Sequence, residues 1–333
     1  MTDPLTRLSA KPVTLWALLL PEAGFRSQVL GLAERLGATL IEKNVDLRKP
    51  WSILPARLCP FPLLGLDPNL DRLEPPWPDV VIACGRRTIP LALAIKRASG
   101  GRTVAVYIQN PKGATPSFDL VVSMRHDGLE GPNVMVVDTA IHRVTPDKLA
   151  AARDKWRERF ATLPHPLVGV ILGGKNRSFR FTEAVADRMI EQLIALSTTD
   201  GAGFIITPSR RTEPEIFEKF KRFAAEHPAI VRFWDGHGDN PYFGLLALSD
   251  ALIVTEDSVS MVSEALASGK PVATVQLEGK AKRHQTFIEN LIDKQAISRF
   301  DGTLPQVNAV PAADQTEQAA EMIRAMLAVR LTS

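Results

Sequence analysis

Three polar strings, each directly after a short apolar run, hold the residues best suited to grip an anion. In Leu172-Gly-Gly-Lys-Asn-Arg177 the paired Gly173 and Gly174 let backbone approach a ligand closely and offer a nest of N–H groups. Asn176 adds an amide, and Arg177 and Arg180 add positive charge. No Gly-Lys-Ser/Thr stands at the spacing of a Walker loop. In Thr207-Pro-Ser-Arg-Arg-Thr212, Arg210 and Arg211 can fork phosphate oxygens while Thr207, Ser209 and Thr212 supply hydroxyls. The third string, Thr255-Glu-Asp-Ser258, opens a helix on which Asp257 or Ser258 is the expected N-cap. Ser260 and Glu264 then lie one turn apart on its face. A loop from Trp234 to Phe243 offers Asn240 and Tyr242 as lining for a base or sugar, and His237 reads as solvated. Each string has a plainer reading as a tight turn with solvated charges. Their convergence at strand carboxyl ends, where α/β sheets take ligands, favours a site.

The first half carries a second set. Pro21 to Gln28 contains Glu22, Gly24, Arg26 and Gln28; Gly85-Arg86-Arg87 follows another apolar run; Gln109-Asn110 follows a third. Glu22 is the carboxylate available for proton transfer, and base work at neutral pH would require a raised pKa. Cys59 and Cys84 have neither CxxC nor metal-ligand spacing, so no metal site and no disulfide framework is expected.

Apolar runs alternate with amphipathic helices throughout. In the first half the expected strands are residues 13–20, 39–45, 80–83, 103–108, 120–123 and 133–137, with helices over 27–36 and 88–97. The second half starts with a polar helix over 142–160. It continues with strands at 167–172, 203–207, 230–234, 251–254 and 272–275, and helices between them. This alternation predicts an α/β fold of two Rossmann-like, doubly wound domains with parallel sheets. Leu163-Pro-His-Pro166 is the best break. The halves are taken as 1–150 and 151–333. A final helix over 314–331, apolar at Ala319, Met322, Ile323, Met326 and Val329, packs either on its own domain or back on the first.

The chain has 333 residues, 45% of them hydrophobic and 23% charged, with a net charge of +3, enough for a full core and too balanced to imply nucleic acid. No run is long enough to span a bilayer, and the N-terminus lacks a secretory pattern. A bacterial cytoplasm is the expected address. Arg48-Lys-Pro-Trp51 and Arg57 to Leu64 mix basic, aromatic and apolar residues in a proline-broken segment, which suits either peripheral contact with the inner membrane or a loop buried on its own domain.

The Thr255–Pro271 unit resembles the nucleotide-sugar site of GT-B glycosyltransferases, above all the lipid-linked amino-sugar transferases of cell-wall synthesis. End to end, the chain resembles the ELM1 family. The matching strings are Gly24–Gly37, Ile82–Pro90, His142–Pro146, Leu172-Gly-Gly174, Thr207–Thr212, Asn240–Gly244 and Thr255–Pro271. The resemblance implies a GT-B-like fold whose two domains face each other across a cleft. It implies a nucleotide-diphosphate sugar, UDP-type, as donor substrate in the C-terminal domain, with no tightly bound cofactor. Glu264 would hold the ribose; Arg210, Arg211, Ser258 and the Gly173 and Gly174 amides would neutralise the diphosphate without an obligatory metal. Gly24, Arg26, Gln28, Gly85, Arg86, Arg87, Gln109 and Asn110 would form the acceptor side, and the acceptor would be an envelope or lipid-linked molecule. Many GT-B enzymes place a His in the acceptor loop, where this chain has Phe25 and Arg26, leaving Glu22 as the base. That departure keeps open a non-catalytic adaptor that recruits partners to a membrane.

Overall fold

A computed structural model describes residues 12–306 and 314–332. The chain divides into two compact units, residues 1–143 with 314–333, and residues 144–313. The first unit contains β1 (Thr14–Leu19), α1 (Ala23–Arg35), β2 (Thr39–Asn44), β3 (Val80–Cys84), α2 (Ile89–Ala98), β4 (Val104–Ile108), β5 (Leu120–Met124) and β6 (Val134–Val137). The strands form one parallel sheet in the order β2-β1-β3-β4-β5-β6. β1 from Leu15 onward, β3 and β4 are apolar without interruption because helices or loops cover both faces. Alternation divides each strand between two cores. Leu15, Ala17, Leu19, Val80 and Ile82 join the core under α1, while Trp16, Leu18, Val81 and Ala83 join the core under α2.

The second unit runs α3 (Pro146–Phe160), β7 (Leu167–Leu172), β8 (Phe179–Arg180), α4 (Glu183–Asp200), β9 (Gly203–Pro208), α5 (Pro214–Glu226), β10 (Val231–Phe233), α6 (Tyr242–Leu248), β11 (Ala251–Thr255), α7 (Val259–Ala267), β12 (Val272–Val275), β13 (Glu278–Gly279), α8 (Lys282–Asp293) and β14 (Ser298–Arg299). Its parallel sheet has the order β10-β9-β7-β11-β12-β14, and β8 pairs antiparallel with β13. Both units are therefore doubly wound α/β domains. In each, the crevice where strand order reverses is fixed by topology: β1 beside β3 in the first, β7 beside β11 in the second.

Two helix starts differ from expectation by four positions. Helix α1 starts at Ala23 and not at Ser27, so Gly24 and Arg26 lie in its first turn and not before it. Helix α3 starts at Pro146 because Thr145 caps it, accepting the Lys148 N–H at 3.1 Å, and Pro is preformed for the first helical position. The division at 143/144 leaves all of α3 in the second unit, whereas a break at 150 would cut it. The last helix, α9 (Gln315–Thr332), belongs to the first unit. Ala319, Ala320, Ile323 and Leu327 enter the α1-side core, while Met322 and Val329 are exposed, so the buried stripe is rotated from the one expected. Arg35 pairs with Asp314 at 2.8 Å and with Glu317 at 3.0 Å, which ties α9 to α1.

Candidate functional site

Packing brings the three polar strings of the second unit together at the carboxyl ends of β7, β9 and β11. Their hub is the carboxylate of Asp257, whose side chain is 0% exposed. A buried charge is tolerated only when it is paired and hydrogen-bonded. Arg211 Nη2 lies 2.8 Å from Asp257 Oδ2, the Gly174 N–H donates to the same oxygen at 3.3 Å, and the Thr255 hydroxyl donates to Oδ1 at 2.8 Å. The Gly173 N–H donates to Thr255 Oγ1 at 2.6 Å, and Asn176 Nδ2 donates to the Asp257 carbonyl at 3.2 Å. Thr212 Oγ1 completes the tie by donating to the Gly173 carbonyl at 2.6 Å.

The paired glycines are required by this packing. A Cβ on Gly173 would stand 1.9 Å from Asp257 Oδ1, and one on Gly174 would stand 2.0 Å from the Arg211 carbonyl oxygen. The glycines admit an anion, as their type suggested, but that anion is the chain's own carboxylate. Arg211 and the Gly173 and Gly174 amides are already engaged. Ser209 is also committed, its hydroxyl accepting the Arg211 N–H at 3.1 Å. Arg210 differs: it is exposed, and no polar group among the described residues engages it.

Ser258 is the N-cap of α7 and accepts the Met261 N–H at 3.4 Å. Beyond it, Tyr242 Oη donates to Glu264 Oε2 at 2.7 Å, which joins the start of α6 to the second turn of α7. Burial first, then the Glu264 charge and hydrogen bond, hold the Tyr242 phenol well above its ordinary pKa, so it stays a donor. Asn240 Oδ1 accepts the Tyr242 N–H at 2.9 Å and fixes the entry to α6. Ser260 is half-buried in the first turn of α7. Every residue expected at the donor side thus sits in one unit, on three adjacent strand ends and the two helices α6 and α7.

The first unit's residues have other partners. Arg87 lies 2.9 Å from Glu22 and 2.6 Å from Asp46. Burial works against the Arg87 charge, but these two carboxylates outweigh it and raise its pKa. Glu22, expected as a base, therefore spends its oxygens on a guanidinium. Gly85 has φ +91°, and a Cβ there would meet Leu20 at 2.7 Å. Arg86 donates to the carbonyls of Ser52 at 2.5 Å and Leu54 at 3.3 Å. Arg26 pairs with Glu42 at 2.6 Å and donates to Asn44 at 2.8 Å, and Gln28 is buried with its amide on the Gly24 carbonyl at 3.2 Å. Gln109 is a non-glycine residue at φ +86°, and Asn110 Oδ1 accepts the Lys112 N–H at 2.8 Å.

Thr212 and Thr255 stand inside the quoted strings as hydroxyl donors, but Asp46 gives no local signal, because Arg87 reaches it only through the fold. A cavity of about 540 Å³ lies elsewhere in the second unit, lined by Arg188, Gln192, Gln276 and Arg299 among others, none of them expected.

Residues 23–327 match the family described as mitochondrial fission ELM1. The mitochondrial fission protein ELM1 of Arabidopsis thaliana is 32% identical over 289 residues, covering 79% of this chain and 67% of that protein. Among solved structures, a UDP-GlcNAc 2-epimerase from Methanocaldococcus jannaschii is similar at a TM-score of 0.49 and 11% identity, over 94% of this chain and 100% of that one. A glycosyltransferase from Rickettsia africae is similar at a TM-score of 0.43 and 13% identity, over 97% and 96%.

Proposed function

The chain belongs to the mitochondrial fission ELM1 family, and from that premise we propose that its second unit binds a nucleotide-diphosphate sugar, UDP-type, for transfer to an envelope or lipid-linked acceptor. The observation that carries the reading is the Tyr242–Glu264 pair, 2.7 Å apart, with Glu264 in the second turn of α7 beyond its Ser258 cap. In this reading Asp257 shapes the rim and does not touch ligand. It draws the β7 and β9 turns against the start of α7. The anion's place then lies over the α7 N-terminus, with the Ser258 and Ser260 hydroxyls and the unengaged Arg210. Free N–H groups and the helix dipole favour a diphosphate there. Glu264 accepts from the ribose hydroxyls, and Tyr242 holds its carboxylate in place. When the sugar leaves, negative charge grows on the diphosphate, and these preorganised donors stabilise it. Gln109 and Asn110 are the acceptor-side groups, and Glu22 serves as base once Arg87 releases it.

A second reading, a non-catalytic adaptor, draws on a specific contact: Arg87 already occupies Glu22. Calorimetry with UDP tests the shared part of both. Binding is expected, and Glu264→Ala should weaken it by roughly tenfold to a hundredfold, the range for lost hydrogen bonds to a charged group. No heat across a panel of nucleotides would remove the site. Binding with no sugar released or transferred would leave the adaptor.

A further inference from the structure

Residues 47–66 of the first unit form a folded loop held by polar contacts within itself and to Arg86. Leu47 bridges Leu66 at its base, and the Arg48 N–H donates to the Gly65 carbonyl at 2.9 Å. The Arg48 guanidinium donates to the Leu64 carbonyl at 3.0 Å and lies over the Trp51 ring at 5.5 Å. Trp51 Nε1 donates to the Pro60 carbonyl at 2.8 Å. Gly65 is there because Trp51 packs on it: a Cβ would stand 2.4 Å from the indole Cγ. Arg86 clamps the far side through the Ser52 and Leu54 carbonyls. Four prolines, at 50, 55, 60 and 62, restrict the backbone further.

This rigid base presents large apolar side chains to solvent. Ile53 is 64% exposed, Leu58 72%, Phe61 78% and Leu64 66%. The other described large hydrophobics that are exposed, such as Ile41, Ile194, Met322 and Val329, are spread over separate elements. A concentration of this kind on an ordered loop marks a contact surface. Charge identifies the partner. Residues 48–64 contain Arg48, Lys49 and Arg57 and no Asp or Glu. Apolar tips among basic groups match the boundary of an anionic bilayer, where the tips leave water and the cations meet lipid headgroups. A protein interface core would instead be expected to lack Lys49, since lysine is depleted there.

We propose that the 47–66 loop is a membrane-docking element that inserts Ile53, Leu58, Phe61 and Leu64 into the interface of an anionic lipid bilayer. Among the described residues no helix is long and apolar enough to cross a membrane, so contact would be with one leaflet surface. The proposal is independent of the nucleotide site and is tested without nucleotide. The full chain is floated with phosphatidylcholine vesicles, with and without phosphatidylglycerol, at low and high salt. Binding should need the anionic lipid and fall about fivefold for each basic residue screened from the surface. A variant combining I53S, L58S, F61S and L64S changes only exposed side chains. It should keep the wild-type melting temperature and lose at least about tenfold in vesicle binding. Lys49→Glu, at an exposed cation with no polar contact among the described residues, should weaken binding while leaving the apolar tips intact. The proposal is overturned if wild type stays unbound to anionic vesicles, or if the serine variant folds and binds as well. It is equally overturned if light scattering shows a wild-type dimer that the serine variant dissolves, since the surface would then cover a second copy.

Discussion

The two units share a plan at one end of their sheets and part company at the other. At the amino end, Asp79 precedes β3 and accepts the Thr14 N–H of β1 at 2.7 Å, while Asp250 precedes β11 and accepts the Leu167 N–H of β7 at 2.7 Å. Each aspartate pins the first strand to its neighbour across the switch. At the carboxyl end the charge is inverted. The first unit centres a cation, Arg87, between two part-exposed carboxylates. The second centres an anion, Asp257, wholly buried among donors. Topology chooses where loops converge, but burial and sign of charge decide what the convergence can bind. The half-exposed cluster of the first unit can be rearranged by solvent. That of the second is tied by buried hydrogen bonds, so under the proposed function a ligand would meet only its outer edge.

The largest expected effect is on stability and separates the two hubs. Asp257→Ala leaves the buried Gly174 N–H and Thr255 hydroxyl without the carboxylate they donate to and unpairs the part-exposed Arg211, and each buried donor left unsatisfied costs about 1–3 kcal/mol. Glu22→Ala removes a part-exposed ion pair, worth roughly 0–1 kcal/mol. Urea titration followed by circular dichroism should show a markedly lower midpoint for the first variant and little change for the second. Equal effects would mean that the Asp257 cradle is no more preorganised than the first unit's triad. Gly173→Ala comes next. It forces a Cβ against the Asp257 carboxylate and should cost about 1–3 kcal/mol by overpacking, without touching any exposed group. A Gly173→Ala protein as stable as wild type would show that the turn can open, and would reopen the cradle to a ligand.

The neighbouring arginines sharpen the comparison at smaller scale. If ligand binds outside the Asp257 hub, Arg210→Ala should weaken UDP binding by about tenfold, the scale of one charge-assisted contact. Arg211→Lys, which keeps a cation beside Asp257 but loses its fork geometry, should shift stability more than affinity. Calorimetry alongside thermal melting separates the two. The reverse pattern would place the diphosphate at Arg211 and would require Asp257 to yield its partners.

The fold was legible because the central strands of both sheets are buried on both faces. β1 after Thr14, β3, β4, β7 and β11 before Thr255 carry apolar side chains without a polar break, and each lies within a residue or two of its expected range. Elements with short or exposed pairings were not legible. β8, β13 and β14 are two residues each, and their pairing is set by tertiary contact and not by local pattern. Gly24 falls outside the helix expected over 27–36, because nothing in the string reveals that α1 starts at Ala23, directly after Glu22. The donor-side residues were legible as types, since Gly-Gly, Arg-Arg and a helix-borne Glu fall at strand ends. Their partners were not. That Asp257 answers Gly174 and Arg211 follows from β7 and β9 lying beside each other and β11 beside β7, a property of strand order.

The amino ends of the sheets give the smallest expected effect. Burial raises the Asp250 pKa, but the Leu167 N–H and His165, with the Lys270 charge, outweigh it and hold the carboxyl below its ordinary value. A carboxyl whose folded pKa is lowered adds stability above its unfolded pKa and loses it as pH falls through the folded one. That contribution should therefore be intact above about pH 4 and fade below it. His165 Nδ1 sits 2.8 Å from Asp250 Oδ2 on an exposed ring, so His165→Ala should alter stability only slightly, as for other exposed pairs. Asp250→Asn should flatten the acid side of the stability profile, with most of the change at low pH. If wild type and Asp250→Asn fall in parallel on acidification, the pin at β7 acts through its hydrogen-bond geometry and not its charge, and the two units' amino ends are alike in that respect too.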